Sequence, residues 1–102
     1  MKYPKEYLDE IKTRLKVSTV VSKSVNLKKR GKEFVGLSPF KTEKTPSFTV
    51  NDEKGFYHCF STAEHGNIFD FIMKTQNLKF GEAVKYLANL AGMQPYTFSK
   101  KD

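Results

Sequence analysis

Apolar residues recur along this chain at two different periods. After Pro4, which suits a first helical turn because its missing N–H leaves nothing unpaired, Leu8, Ile11 and Leu15 follow at helical spacing with Lys12, Arg14 and Lys16 between them. The spacing predicts an amphipathic helix over 4–15. Ser18 is placed to cap a second, shorter helix to about residue 23, against the weak helix propensity of Thr19, Val20 and Val21. The period then changes to two. Val25 and Leu27 alternate with Asn26 and Lys28 and read as a strand. Arg30-Gly31-Lys32 reads as a turn into a second strand, Glu33 to Leu37, and Pro39, Pro46 and the polar residues between them mark a loop. Ser47 to Val50 reads as a third strand, residues 51–55 as a turn, and Phe56 to Phe60 as a fourth. Helical spacing returns after Gly66. Asn67 is a good N-cap with Asp70 in the first turn, and Ile68, Phe69, Ile72 and Met73 form an apolar face. A last helix is predicted over Phe80–Ala91, with Phe80, Val84, Leu87 and Ala91 on one face and Gly92 just beyond it. The pattern is α+β: a small antiparallel sheet flanked by N- and C-terminal helices. One domain is expected over 1–96, with 97–102 as a tail or the start of a linker.

The totals agree with one small domain. The chain has 102 residues, 38% of them hydrophobic, with nine Phe, five Tyr and no Trp. That is apolar material for one modest core and more aromatic than a disordered segment carries. No stretch approaches the ~20 apolar residues of a membrane span. A single cysteine, Cys59, excludes an internal disulfide framework. One Cys and two His also leave too few ligands for a four-ligand Cys/His zinc site. The default compartment is the cytoplasm.

The net charge is +7, and its placement says more than its size. Residues 1–33 carry +6, residues 34–65 carry −1 and residues 66–102 carry +2, with the densest cluster at Lys28, Lys29, Arg30 and Lys32. An acidic partner is implied: nucleic acid, an acidic protein or an anionic surface.

Catalytic chemistry finds little support. Asp9-Glu10 and Asp52-Glu53 are sequence neighbours in a helix and a turn. A Cys59–His65 nucleophile lacks an orienting partner, so Cys59 reads as a buried structural residue. Gly31, Gly36, Gly55 and Gly66 are isolated and form no phosphate loop. The stronger signal is cations interleaved with aromatics on strands. Lys28 and Arg30 share a strand face, and Phe48, Phe56, Tyr57, His58 and Phe60 lie on neighbouring strands. A sheet covered by helices on one side and open on the other is a platform for single strands, where cations hold phosphates and rings stack bases. The plainer reading makes the Phe side chains core and the lysines a solvated face.

Longer runs carry a family pattern. Pro39-Phe40, Glu43-Lys44-Thr45-Pro46-Ser47-Phe48, Phe56-Tyr57-His58-Cys59-Phe60 and Gly66-Asn67-Ile68-Phe69-Asp70-Phe71 closely resemble the N-terminal zinc-binding domain of bacterial DNA primase. The resemblance extends upstream through residues 25–32 and downstream through residues 83–88. It implies a zinc-ribbon fold that engages single-stranded template DNA in primer initiation, with the polymerising activity in a separate domain. The implied partners are template DNA, the primase polymerase domain and the replicative helicase. Residues expected at the DNA are Lys28, Lys29, Arg30 and Lys32, then Lys44 and Lys54, on phosphate. Phe34, Phe56, Tyr57 and His58 are expected on bases, although strand parity forbids all four from facing one way. The second function class is a protein-interaction module docking on the polymerase domain or another replication protein, with Phe98 and the tail as a tether.

One departure from the family is large. The resemblance implies zinc ligands Cys, His, Cys, Cys, and those positions hold Ser38, Lys41, Cys59 and Thr62. Hydroxyls are poor zinc ligands beside thiolate or imidazole, and a lysine puts a cation where the metal would sit. The expectation is a zinc-ribbon-like fold with no cofactor. Losing structural zinc removes about 10–16 kcal/mol in small metal-dependent domains. Packing of Phe40, Phe48 and Phe60 is expected to offset it, with hydrogen bonds among Ser38, Lys41 and Thr62 and an ion pair from Glu43 or Glu64 to Lys41. A substitute site from His58, Cys59, His65 and Glu64 is the alternative, disfavoured because His58 and Cys59 point to opposite strand faces.

Overall fold

In a computed structural model, which describes residues 3–40, 42 and 44–96, the N-terminal periodicity becomes α1 (Lys5–Arg14), entered from an extended Pro4. Ile11 and Leu15 are buried, and α1 packs along the last helix. Lys41, Glu43, Phe98 and the rest of the tail lie outside the described residues. The second helix, α2 (Val17–Val21), starts one residue before Ser18, with Lys16 at its N-cap. Ser18 instead donates its amide and its hydroxyl to the Asp52 carboxylate, at 2.9 and 2.6 Å. Burial of Val17, Val20 and Val21 outweighs their low helix propensity.

Five strands follow in a meander of order β1-β2-β3-β4-β5, every neighbour antiparallel. They are β1 (Lys28–Arg30), β2 (Glu33–Gly36), β3 (Phe48–Asn51), β4 (Phe56–Cys59) and β5 (His65–Gly66). The first strand therefore lies three residues later than the alternation of Val25 and Leu27 suggests. Val25 is instead buried in the segment leading into β1, and the segment's Asn26 carbonyl lies 2.8 Å from where a Cβ on Gly36 would stand. The two-residue β5 is too short to leave a sequence period and was not expected.

Asn67 caps α3 (Ile68–Gln76), accepting from the Phe69 and Asp70 amides, while Asp70 accepts from the Asn67 amide at 2.9 Å. Phe71 joins Ile68, Phe69 and Ile72 in the core, and Met73, expected on that face, is only half-buried. The last helix, α4 (Phe80–Leu90), buries Ala83, Val84, Leu87 and Ala88, and Gly92 follows it at φ +74°. The core lies between these helices and one side of the sheet.

A Cβ on Gly66 would lie 2.5 Å from both Cβ and Oδ2 of Asp70. Asp70 is held by its capping bond and cannot swing away without releasing it. Gly66→Ala is therefore expected to cost at least the cap, about 1 kcal/mol. In a domain of this size that is a fall of about 4–8 °C in Tm. A thermal melt that does not move would contradict the close approach.

Candidate nucleic-acid interface

Strand register decides which side chains share a face. Lys28 opposes Val35, Val35 opposes Thr49, Thr49 opposes His58 and His58 opposes His65, so one row crosses all five strands. Beside it, Arg30 opposes Glu33 and Asn51 opposes Phe56. Asn51 Nδ2 donates to Glu33 Oε2 at 3.3 Å and joins the two pairs into a second row. The opposite face carries Phe34, Val50, Tyr57 and Gly66 in one row and Gly36, Phe48 and Cys59 in the next. Phe48, Val50, Tyr57 and Cys59 are fully buried there beneath the helices.

The helix-free face thus presents a stripe of rings along one strand. Phe56 is 47% exposed, and Phe60, which continues the alternation of β4, is 68% exposed. The His58 ring lies between them in sequence and meets Phe60 edge-on at 4.4 Å. An open groove of about 710 Å³ is lined by Lys28, Lys29, Arg30 and Lys44 among Val35, Leu37 and Pro46. Lys32 and Lys54 are exposed in the β1–β2 and β3–β4 turns, at the same end of the sheet.

The sequence-level candidates therefore divide. Lys28, Arg30, Phe56 and His58 stand together on the open face. Lys29 and Phe34 stand on the other side of the sheet, with the Lys29 ammonium 5.6 Å from the Phe34 ring centre. Tyr57 is not available to a base. Its ring is fully buried, 5.3 Å from Phe48 and 5.7 Å from Phe71, and burial holds its phenol above the ordinary value despite nearby Lys74. Phe60 was expected as a core support and is instead the most exposed ring of the stripe. The turn length was the available signal. With residues 52–55 as the loop, Asn51 pairs with Phe56, which puts Phe56, His58 and Phe60 on the polar side of β3.

Ser38, Cys59 and Thr62, three of the four positions that the resemblance implies as zinc ligands, lie toward the other end of the sheet, and the fourth, Lys41, lies outside the described residues. Cys59 Sγ is buried, 3.2 Å from Ser38 Oγ and 3.4 Å from Ser61 Oγ. Burial pushes the Cys59 thiol up, but hydrogen bonds to Ser38, Ser61 and Thr62 outweigh it and bring the pKa down to about 6. Glu64 forms an ion pair with Lys74, at 2.7 Å; the expected partner Lys41 lies outside the described residues. His58 and His65 face the open side, away from Cys59, so the substitute donor set is not gathered. Among the described residues, no group of three or more His, Cys, Asp or Glu could hold a metal ion. One thiol among hydroxyls that already bond one another does not fit zinc, which favours thiolate and imidazole in a tetrahedral set.

A family model described as the CHC2 zinc finger matches residues 3–101. DNA primase of Haemophilus influenzae is 43% identical over 94 residues, covering 91% of this chain and 16% of that protein. DNA primase of Pseudomonas putida is 46% identical over 91 residues, covering 89% and 14% respectively. The chain thus spans about a sixth of the length of these curated relatives. Among solved structures, the zinc-binding and RNA polymerase domains of Aquifex aeolicus primase match with TM-score 0.80 at 28% identity, over 86% of this chain and 22% of that one. With a five-stranded antiparallel meander, its flanking helices and sequence identity along nearly the whole chain in agreement, the chain belongs to the CHC2 zinc-finger family, as a relative of the zinc-binding domain of DNA primases.

Proposed function

We propose that this domain holds the single-stranded DNA template of a primase on the open face of its sheet and so supports RNA primer initiation in the cytoplasm. Polymerisation belongs to the remainder of the primase, with which the domain works, alongside the replicative helicase. The observation that carries the reading is the ring stripe of Phe56, His58 and Phe60 on the helix-free face, bordered by Lys28 and Arg30. Rings accept bases of any sequence by stacking, and the flanking cations neutralise phosphates. Lys44, Lys32 and Lys54 extend the positive border.

The test is a fluorescence-anisotropy titration with a labelled single strand at several salt concentrations. Affinity is expected to fall with salt, with a slope of log K on log[salt] near −0.7 per phosphate neutralised. Arg30→Ala is expected to weaken binding to all sequences alike and to make that slope shallower by about 0.7. Salt-independent affinity, or a loss confined to one sequence, would contradict the phosphate role.

A second reading, docking on the polymerase domain, is favoured by a separate aromatic patch on the helical side. There Tyr3, Tyr7, Phe80 and Tyr96 meet ring to ring at 5.2–6.3 Å, with Phe80 and Tyr96 part-exposed. It predicts saturable binding to the rest of the primase and indifference to polynucleotide.

A further inference from the structure

We propose that this member of its family folds without zinc, closing the ribbon end with a sulfur–hydroxyl network centred on the buried Cys59. The four positions that the resemblance implies as metal ligands hold Ser38, Lys41, Cys59 and Thr62. The described side chains at that end already satisfy one another. Cys59 Sγ and Ser38 Oγ are hydrogen-bonded at 3.2 Å, and Ser38 Oγ also accepts the Phe40 amide at 3.0 Å. Ser47 donates to Ser61 at 3.0 Å, and both hydroxyls border the sulfur, at 3.9 and 3.4 Å. The network therefore joins the β2–β3 connection, the start of β3 and the loop after β4, the segments a metal would otherwise clamp.

The backbone supplies a second closure. Cys59 N donates to Glu64 O at 2.7 Å and Ala63 N to Cys59 O at 2.8 Å, which folds residues 59–64 into a tight loop with Ala63 at φ +64°. Glu64 then pairs with Lys74 and ties that loop to α3. On the other side, the Phe40 ring packs 6.0 Å from both Phe48 and Tyr57 and 6.4 Å from Phe71, which anchors the β2–β3 connection to the core. At its buried centre, the Cys59–Ser38 pair holds its shape only while both members are partnered, so Ser38 is as much a part of the network as Cys59.

The test uses the full 102-residue chain, expressed with zinc in the medium. Metal content by elemental analysis and thermal melts with and without excess EDTA are read together. The expected result is zinc far below one equivalent, with Tm unchanged by chelator. Ser38→Ala, which takes the hydrogen-bond partner from a buried sulfur, is expected to lower Tm by about 4–8 °C, equally with and without EDTA. One zinc per chain, or a melt that collapses in chelator, would overturn the proposal. So would a Ser38→Ala variant that melts like the parent. None of these readouts depends on DNA binding.

Discussion

Phe48→Ala is expected to destabilise the domain by about 3–5 kcal/mol, the usual cost of removing a buried aromatic ring. Phe48 is fully buried on the helix-facing side of β3, and its ring lies 5.3 Å from Tyr57, 6.0 Å from Phe40 and 6.0 Å from Phe71. These four rings join β3, β4, the β2–β3 connection and α3, so a cavity at Phe48 loosens four segments together. A small domain has only about 5–15 kcal/mol in total. The variant should therefore melt tens of degrees below the parent or be partly unfolded at 37 °C. Phe56→Ala is the internal control. Phe56 is half exposed on the other face, and its removal should cost less than about 1 kcal/mol. Equal losses for the two variants, measured by urea titration, would contradict the assignment of faces.

Replacing both Phe56 and Phe60 with alanine is expected to reduce single-stranded DNA affinity the most while leaving the fold intact. Base–aromatic stacking is worth about 1–3 kcal/mol per base, so each ring accounts for roughly a 5- to 150-fold change in Kd. The two rings flank His58 on one strand face, and Phe60 touches His58, so their effects need not add. The salt slope should stay near the parent's, because no phosphate contact is removed. Arg30→Ala behaves in the opposite way, with a shallower slope. Anisotropy titrations at two salt concentrations separate the two. An affinity unchanged in the double alanine variant would remove the stacking role.

The helices and the meander were legible in the chain because their patterns are local. Ile11 and Leu15, the Asn67–Asp70 cap and the Val84–Leu87 face each show within a few residues what the element does. The misplaced features depend on partners distant in sequence. Ser18 looks like a cap until Asp52 reaches it from 34 residues away. Val25 and Leu27 look like a strand, but the residue that opposes the first true strand position is Val35. In Phe56-Tyr57-His58-Cys59-Phe60 every residue has some apolar character, so period two alone gives no direction. The β3 alternation of Phe48 and Val50 against Thr49 and Asn51, carried through the turn, does. The charge cluster falls on β1, but clustering does not say which side of the sheet each residue faces. Register separates Lys29 from Lys28 and Arg30 by one residue, which is a whole face of the sheet.

The same register identifies the measurement nearest to the central claim. Amide and side-chain NMR shifts would be followed while the full chain is titrated with an unstructured single strand. The account predicts shifts at Lys28, Arg30, Phe56, His58 and Phe60, with the Tyr57 ring and the Tyr3–Tyr7–Tyr96 patch unmoved. Shifts confined to the helical side, with the open face silent, would contradict it.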